Sequence, residues 1–421
     1  MRSRLLELGR LVPAQSAVAA LLQVTQMVCS IVVLRWVSPA ENGVWQSIVL
    51  LESYFGVVRL GVINSFNRQF PFLSGRGERS QAEATAQAAE AYTLLACGVE
   101  VVGLLIVCLY AGAAHWRAAA IAMALYGPAM LYRTYLEATC RSGREFSILA
   151  RNQGWLILAQ VLSIPLVWVA GFDGYLGRTV AIAVGGTLLL HRMRPVRLPP
   201  RWDWTVVGML VTTGMPLFIS NYGTVVASTF GRMLLLQRGG EHELGLFTPV
   251  SAIFTLGVMA PSIISTYLLP RLNFDLGQTD NAMAVADNSW RVGLACVVFM
   301  LPFVAAGWWL IPICVGRILP AYVESVPAMR WGLLLVLAGC FKIATLPLSV
   351  LQAWPQLFAY VGAVLATNYL CPALLLHATS LRALEAVTVG LVIAAVVQIM
   401  AAALCVRSAV ARYRPEAPAP S

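Results

Sequence analysis

The chain alternates long apolar stretches with short polar gaps. Runs of helix length lie near 12–36, 44–66, 88–113, 118–139, 147–170, 174–191, 206–236, 244–269, 292–316, 328–352, 355–377 and 385–406. A hydrocarbon core about 30 Å thick takes roughly 20 apolar residues rising 1.5 Å each, so these runs match the length of spanning helices. Inside hydrocarbon a backbone must satisfy its own hydrogen bonds, which a helix does and an open strand does not. The pattern predicts an all-α integral membrane protein of about twelve transmembrane helices. The gaps are short, the longest expected at 67–87, so no soluble domain hangs from the bundle. The first run is too long for the apolar part of a signal peptide and is kept as a helix. The proline-rich end, Pro415–Ser421, is expected to be disordered.

Composition agrees. Hydrophobic residues make up 59% and mean hydropathy is +0.75, above the roughly 45–50% apolar content of soluble proteins. The net charge of +10 raises nucleic acid as a partner, but the positions of the charges argue against it. With the N-terminus inside, 18 of the 29 cations fall in cytoplasmic gaps, among them Arg2, Arg4, Arg10, Arg144 and Arg414. Seven fall opposite, namely Arg35, Arg117, Arg178, Arg238, Arg317, Arg330 and Arg382. That bias is the positive-inside rule, and it places both termini in the cytoplasm. Basic gaps beside anionic headgroups account for it without nucleic acid. The nine cysteines are scattered and form no CxxC pair, so neither a disulfide framework nor a zinc site is indicated.

Four cations are read as sitting well inside apolar runs, away from the gaps: Arg59, Arg133, Arg232 and Lys342, the chain's one lysine. A charge inside a bilayer is costly and marks a functional site by default, so these four are candidates for binding an anionic substrate. Arg59 and Arg133 lie roughly 10 Å from the expected inner ends of their helices, within reach of a snorkelling side chain. Arg133 also has Glu137 one turn away. Interfacial anchoring or local pairing competes there with a binding role, and Arg232 stands similarly near the other face. Lys342 lies near the centre of its run, too deep to reach water along the lipid face, and is expected to face a wet cavity. Glu52 in the second run and Glu100 in the third are read as the buried carboxylates and are candidates for ion coupling, with static pairing the equal alternative. Gln15, Gln23, Gln26, Asn221 and Tyr222 suit either sugar hydroxyls or helix–helix hydrogen bonds.

The chain also resembles itself. At an offset of 202, Leu34, Glu41, Gly43 and Trp45 match Leu236, Glu243, Gly245 and Phe247. Runs two and eight close similarly, at Phe70-Pro71 and Leu269-Pro270. Six helices per repeat returns the chain to its starting side, so the two halves are parallel repeats, as in many secondary transporters. The expected organisation is a six-helix lobe over 1–192, a Pro- and Arg-rich cytoplasmic linker over 193–204, a second six-helix lobe over 205–410 and a disordered tail over 411–421, with a cavity between the lobes.

Several segments carry a family likeness. Val33–Leu73, Cys140–Gln153, Gly214–Ile253 and Tyr267–Leu272 resemble, in order, the polysaccharide (Wzx-type) flippases of the multidrug/oligosaccharidyl-lipid/polysaccharide exporter superfamily. The resemblance implies two six-helix lobes around a cationic cavity and transport of undecaprenyl-diphosphate-linked oligosaccharide from the inner to the outer leaflet. It further implies a bacterial inner-membrane location. The expected partners are the lipid-linked glycan, membrane lipids and polysaccharide polymerase and assembly proteins. One departure stands out. Many relatives carry an acid–arginine pair late in the seventh helix, whereas here Ser228-Thr229-Phe230-Gly231-Arg232 keeps only the arginine.

Other readings are weighed by what the chain lacks. There is no GxxxxGK, HExxH or GxSxG, and the four histidines form no evident ligand set, so no cofactor and no metal is expected and an ATPase is excluded. A drug or organic-cation exporter of the same superfamily is disfavoured by cations in the path. A polytopic glycan polymerase or glycosyltransferase needs a sizeable outer loop, and gaps such as 378–384 are too short. A non-transporting scaffold would not need Lys342. The arginine asymmetry makes a direct prediction: reporters fused after Arg79, Arg201 and Arg412 read cytoplasm, and reporters within 37–43 and 238–243 read periplasm. A C-terminus on the outside would remove the parallel repeat.

Overall fold

The computed structural model of the chain describes residues 2–143 and 145–413. Arg144, Arg414 and the proline-rich end lie outside these residues, as do the side chains of Arg2, Arg4, Arg10 and Gln15. The described residues form helices and no strand. They divide into two compact units, Met1–Tyr222 and Gly223–Ser421.

The first unit holds α1 (Arg2–Val33), α2 (Pro39–Phe55), α3 (Val62–Arg76), α4 (Arg79–Tyr110), α5 (Ala114–Ser142), α6 (Phe146–Leu162), α7 (Ile164–Met193) and the start of α8 (Trp204–Gly257). The second holds the rest of α8, then α9 (Met259–Thr279), α10 (Ala282–Ile318), α11 (Val326–Cys340), α12 (Leu346–Val350), α13 (Trp354–Ala378) and α14 (Ala383–Arg412). Six helical stretches are long and apolar enough to cross a membrane, and eight when each of two bent pairs counts once. The sequence predicted about twelve. The difference is one of where stretches are cut. Gly171, at φ 55, ends one helix inside α7, and Gly240, at φ 69, does so inside α8. These left-handed positions suit glycine, and each turns one long helix into two. α5 is long enough but not apolar enough, since Arg133, Thr134 and Glu137 dilute it. In α1 the part whose side chains are described, Ala17–Val33, is apolar but by itself shorter than a full span.

One expected loop is not a loop. The polar stretch 67–87 continues as helix on both sides, leaving only Gly77 and Glu78 between α3 and α4. Gly77 at φ 79 supplies the left-handed cap, donating to the Leu73 and Ser74 carbonyls. Polarity marked the end of the apolar run, not the end of the helix.

Helix starts and breaks follow local chemistry. Ser38 and Glu41 form a reciprocal capping box, with Pro39 at the first helical position of α2. Further on, α2 passes through a 3-10 turn, Gly56–Arg59, and Leu60 and Gly61 turn left-handed before α3. The 3-10 turn thus ends in a 46° bend. In the second unit the break between α8 and α9 falls at Val258, 202 residues after Gly56, and Gly240 stands 202 after Ser38. The internal likeness read from sequence therefore coincides with the same sequence of turn and break in each unit. α11 and α12 are likewise separated by a 3-10 turn, Phe341–Thr345.

Close packing in the first unit relies on small residues, since lipid provides no hydrophobic gain on helix association. Ala86, Ala89 and Ala96 of α4 and Ala138 of α5 are buried in one apolar cluster with Phe66 and Tyr135. Gly61 and Gly214 meet backbone to backbone, so a Cβ on either would collide with the other's carbonyl. Tyr222 Oη donates to the Tyr54 carbonyl at 2.9 Å, closing the α2 break against α8. Beyond α7, residues 194–203 lie along α4. Glu90 accepts from Arg194, Tyr132 Oη donates to Glu90 at 2.8 Å, Gln87 donates to the Pro199 carbonyl at 3.1 Å, and Trp202 stacks on Tyr92.

The glycine contact sets a test. Gly61→Ala and Gly214→Ala combine a clash with, at position 61, positive φ, and each is expected to destabilise the protein by about 1–3 kcal/mol. Gly98→Ala, which meets nothing within 4 Å, should be neutral. Thermal unfolding of the purified variants in one detergent measures all three.

Candidate functional site

The first unit contains a partly open cavity of about 450 Å³ bounded by α1, α2, α5, α6 and α7. That volume falls within the common range for small-molecule sites, roughly 300–1,000 Å³. Its lining is mixed. Trp45, Tyr126 and Tyr175 form an aromatic wall, with Trp45 edge-on to both tyrosines at 5.9 and 6.0 Å. Gln26, Gln46 and Gln160 add amides, and Glu52, Arg133, Glu137 and Arg178 add charge.

Burial makes charge pairing the dominant question here. Arg59 and Glu52 are seven residues apart, and the side chain reaches back to place Nη2 3.4 Å from Glu52 Oε1. Arg59 stands at the end of the 3-10 turn and its side chain is 38% exposed. Glu100 of α4 is buried, with its carboxyl against that of Glu52, and its Oε1 has no hydrogen-bond partner among the described residues. The two expected coupling candidates are thus brought together, beside one guanidinium.

Arg133 is buried and statically held. Its Nε donates to Glu137 Oε1 at 2.9 Å and its Nη2 to Asn152 Oδ1 at 3.4 Å, while Asn152 Nδ2 donates to the Gly186 carbonyl at 2.9 Å. Glu137 also lies 3.8 Å from Arg141. The local pairing that the i,i+4 spacing allowed is what the side chain does.

Arg178 was assigned from sequence to the outer gap; instead it lies within α7 and is 4% exposed. Its Nη2 donates to the Gln160 carbonyl at 3.2 Å and to the Gln160 side-chain oxygen, and it contacts the Cys29 thiol. Among the described residues it has no carboxylate partner, and its Nε is buried without an acceptor. The signal was available: position 178 falls inside the apolar run 174–191, a few residues from its end. Glu90, paired with Arg194, is a further buried carboxylate that the apolar-run reading passed over.

The remaining two predicted cations belong to the second unit. Arg232, on α8, is partly buried and makes no ion pair among the described residues. Lys342 lies in the 3-10 turn between α11 and α12, exposed and likewise unpaired among the described residues, with its carbonyl accepting from Thr345 Oγ1 at 2.8 Å. The described residues contain no cluster of three or more metal-binding side chains. At the start of α14, Arg382 bridges Glu243, just past the Gly240 break in α8, and Glu324, in the turn before α11, at 3.1 and 2.7 Å.

The arrangement can be set beside known structures. An inward-facing multidrug-resistance MATE family transporter of the MOP superfamily matches 92% of this chain and 96% of its own, with a TM-score of 0.70 and 14% identity. The fold is that of a MATE transporter. An outward-facing MATE structure matches 96% of this chain and 97% of its own, with a TM-score of 0.62 and 17% identity. A MOP superfamily transporter from Pyrococcus furiosus, described as having a binding pocket of reversed polarity that suggests a different function, matches 94% and 93%, with a TM-score of 0.63 and 15% identity. No family model and no curated protein matches the chain. The likeness establishes a multi-pass, two-lobed MATE fold, and at these identities it stops at the fold.

The Arg133–Glu137 pair yields a test by single and double replacement. Arg133→Met or Glu137→Met alone leaves a partly buried charge and should destabilise by about 1–3 kcal/mol. The double variant should recover much of that loss, because the pair's own contribution is small once desolvation is counted. Unfolding midpoints of the three proteins decide it.

Proposed function

We propose that the chain is a transporter moving undecaprenyl-diphosphate-linked oligosaccharide from the inner to the outer leaflet by alternating access. The carrying observation is the character of the first-unit cavity: amides, aromatic side chains and the guanidiniums of Arg133 and Arg178 share its lining with Glu52, Glu137 and apolar side chains, a more polar mixture than a hydrophobic drug would select. Amides and guanidinium groups pair with sugar hydroxyls and anionic oxygens, and aromatic faces pack on the apolar faces of sugar rings. The ordered resemblance of Val33–Leu73 and Gly214–Ile253 to polysaccharide flippases supports the same reading. In it Lys342 and Arg232, cations without carboxylate partners among the described residues, attract the diphosphate, and Arg59 and Arg133 add to the field despite their pairs. Glu52 and Glu100 supply a proton or ion step, since loading a charge beside that pair changes the balance with Arg59. The breaks at Gly56–Gly61 and Val258 give helices room to bend during exchange between states.

Export of organic cations or drugs is the second reading. It is favoured by the structural neighbours, two of which are described as multidrug resistance transporters, and by the carboxylates near the cavity.

The two readings part in one experiment. In cells lacking the native protein, the wild-type chain should restore surface glycan and leave drug susceptibility unchanged. Lys342→Gln, at matched protein level, should reduce glycan export several-fold. Restored drug resistance with unchanged glycan would establish the second reading instead.

A further inference from the structure

We infer that the first-unit cavity is a subsite for an acidic sugar of the hexuronate class, whose carboxylate seats on Arg178. This deepens the glycan-transport reading at the same site and rests on it. The inference begins with a count of compensation. Of the charged groups lining the cavity, Glu52 is matched by Arg59 at 3.4 Å and Glu137 by Arg133 at 2.9 Å. Arg178 is left over. It is 4% exposed, it lines the cavity, and its only polar contacts among the described residues are the Gln160 oxygens and the Cys29 thiol. Its Nε is buried with no acceptor. An uncompensated guanidinium in low dielectric is costly, and an anion entering beside it recovers that cost.

The rest of the lining selects the kind of anion. A guanidinium presents donors in a planar fork that fits a carboxylate or a phosphate. A bare phosphate needs more donors than Arg178 alone and gains nothing from Trp45 and Tyr126. A sugar ring gains from both, while Gln26 and Gln46 reach its hydroxyls. The volume of about 450 Å³ suits a single sugar unit with water. In this assignment the acidic sugar sits here and the lipid-borne diphosphate with the other cations.

Purified full-length protein in detergent provides the test, read by quenching of tryptophan fluorescence, with Trp45→Phe identifying the cavity signal. Glucuronate, the neutral isostere glucuronamide, glucose and inorganic pyrophosphate are the probes. In the wild type, glucuronate should bind at least tenfold more tightly than glucuronamide or glucose. Arg178→Gln should remove that preference, and Arg178→Lys should keep part of it, since charge remains and the fork is lost. The wild-type comparison of glucuronate with glucuronamide stands even if Arg178→Gln fails to fold. Equal binding of the two, or equal glucuronate binding by wild type and Arg178→Gln, overturns the inference. Tighter pyrophosphate binding that depends on Arg178 also overturns it, by making the site a phosphate site. Surface glycan in cells is scored separately. No effect of the protein on glycan would overturn the transport reading while leaving an Arg178-dependent preference intact.

Discussion

Charge inside an apolar bundle has to be matched, and much of the first unit is arranged by that demand. Arg59 turns back to Glu52, Arg133 takes Glu137 and Asn152, and Arg194 crosses from the end of α7 to Glu90. Each pair also fixes geometry. Glu52–Arg59 ties the 3-10 turn to the helix before it. Arg133 links α5 to α6 through Asn152, which holds the α7 backbone at Gly186. Glu90–Arg194 pins the segment after α7 onto α4, with Tyr132 and His191 completing the network. Buried ion pairs contribute little net stability, because desolvation offsets their attraction. Their value here is placement: breaking one leaves an uncompensated charge, so alternative packings are disfavoured.

The second constraint is the backbone itself. A spanning helix can bend only where its freed carbonyls and N–H groups find other partners. α2 bends through a 3-10 turn, which keeps its hydrogen bonds internal, and Tyr222 donates to the Tyr54 carbonyl just before it. Gly61 and Gly214 allow the two backbones to touch at that point, so the bend is seated and not loose. Breaks of this kind recur at the same offset in the second unit, at Gly240 and Val258. Two units that share turn and break also share the places where each is able to flex.

Much of this was legible in the residues. Apolar runs located the helices because hydrocarbon admits little else, and the offset of 202 foretold the recurrence of turn and break. The i,i+4 spacing of Arg133 and Glu137 foretold their bond. Three things were hidden, each for a physical reason. The extent of α3 and α4 was hidden because a helix may continue past the membrane surface, where polarity no longer marks its end. Arg178 was missed because a guanidinium near the end of an apolar run reads as interfacial unless its direction is known, and direction is a tertiary property. Glu90 was missed because its partner Arg194 is 104 residues away, beyond any helical spacing. Sequence periodicity reports local pairs and says nothing of such distant ones.

The two units differ in where they keep their acids, and the difference bears on mechanism. In the first, Glu90 and Glu100 are buried on α4, and Glu52 and Glu137, near the ends of α2 and α5, are partly buried and paired with Arg59 and Arg133. In the second, Glu241, Glu243, Glu324 and Glu385 cluster at helix junctions, and Asp275, Asp280 and Asp287 lie within about two turns of helix ends. Partly buried Arg232 and exposed Lys342 of the second unit thus have no buried carboxylate of their own unit to meet among the described residues. Buried acids are a property of the first unit, where Glu52 and Glu100 meet beside Arg59. Cations without a carboxylate partner among the described residues occur in both, Arg178 in the first and Arg232 and Lys342 in the second. Two units with the same order of turn and break therefore differ in their charge, because the backbone pattern constrains where a helix bends and leaves the side chains around the bend free to diverge.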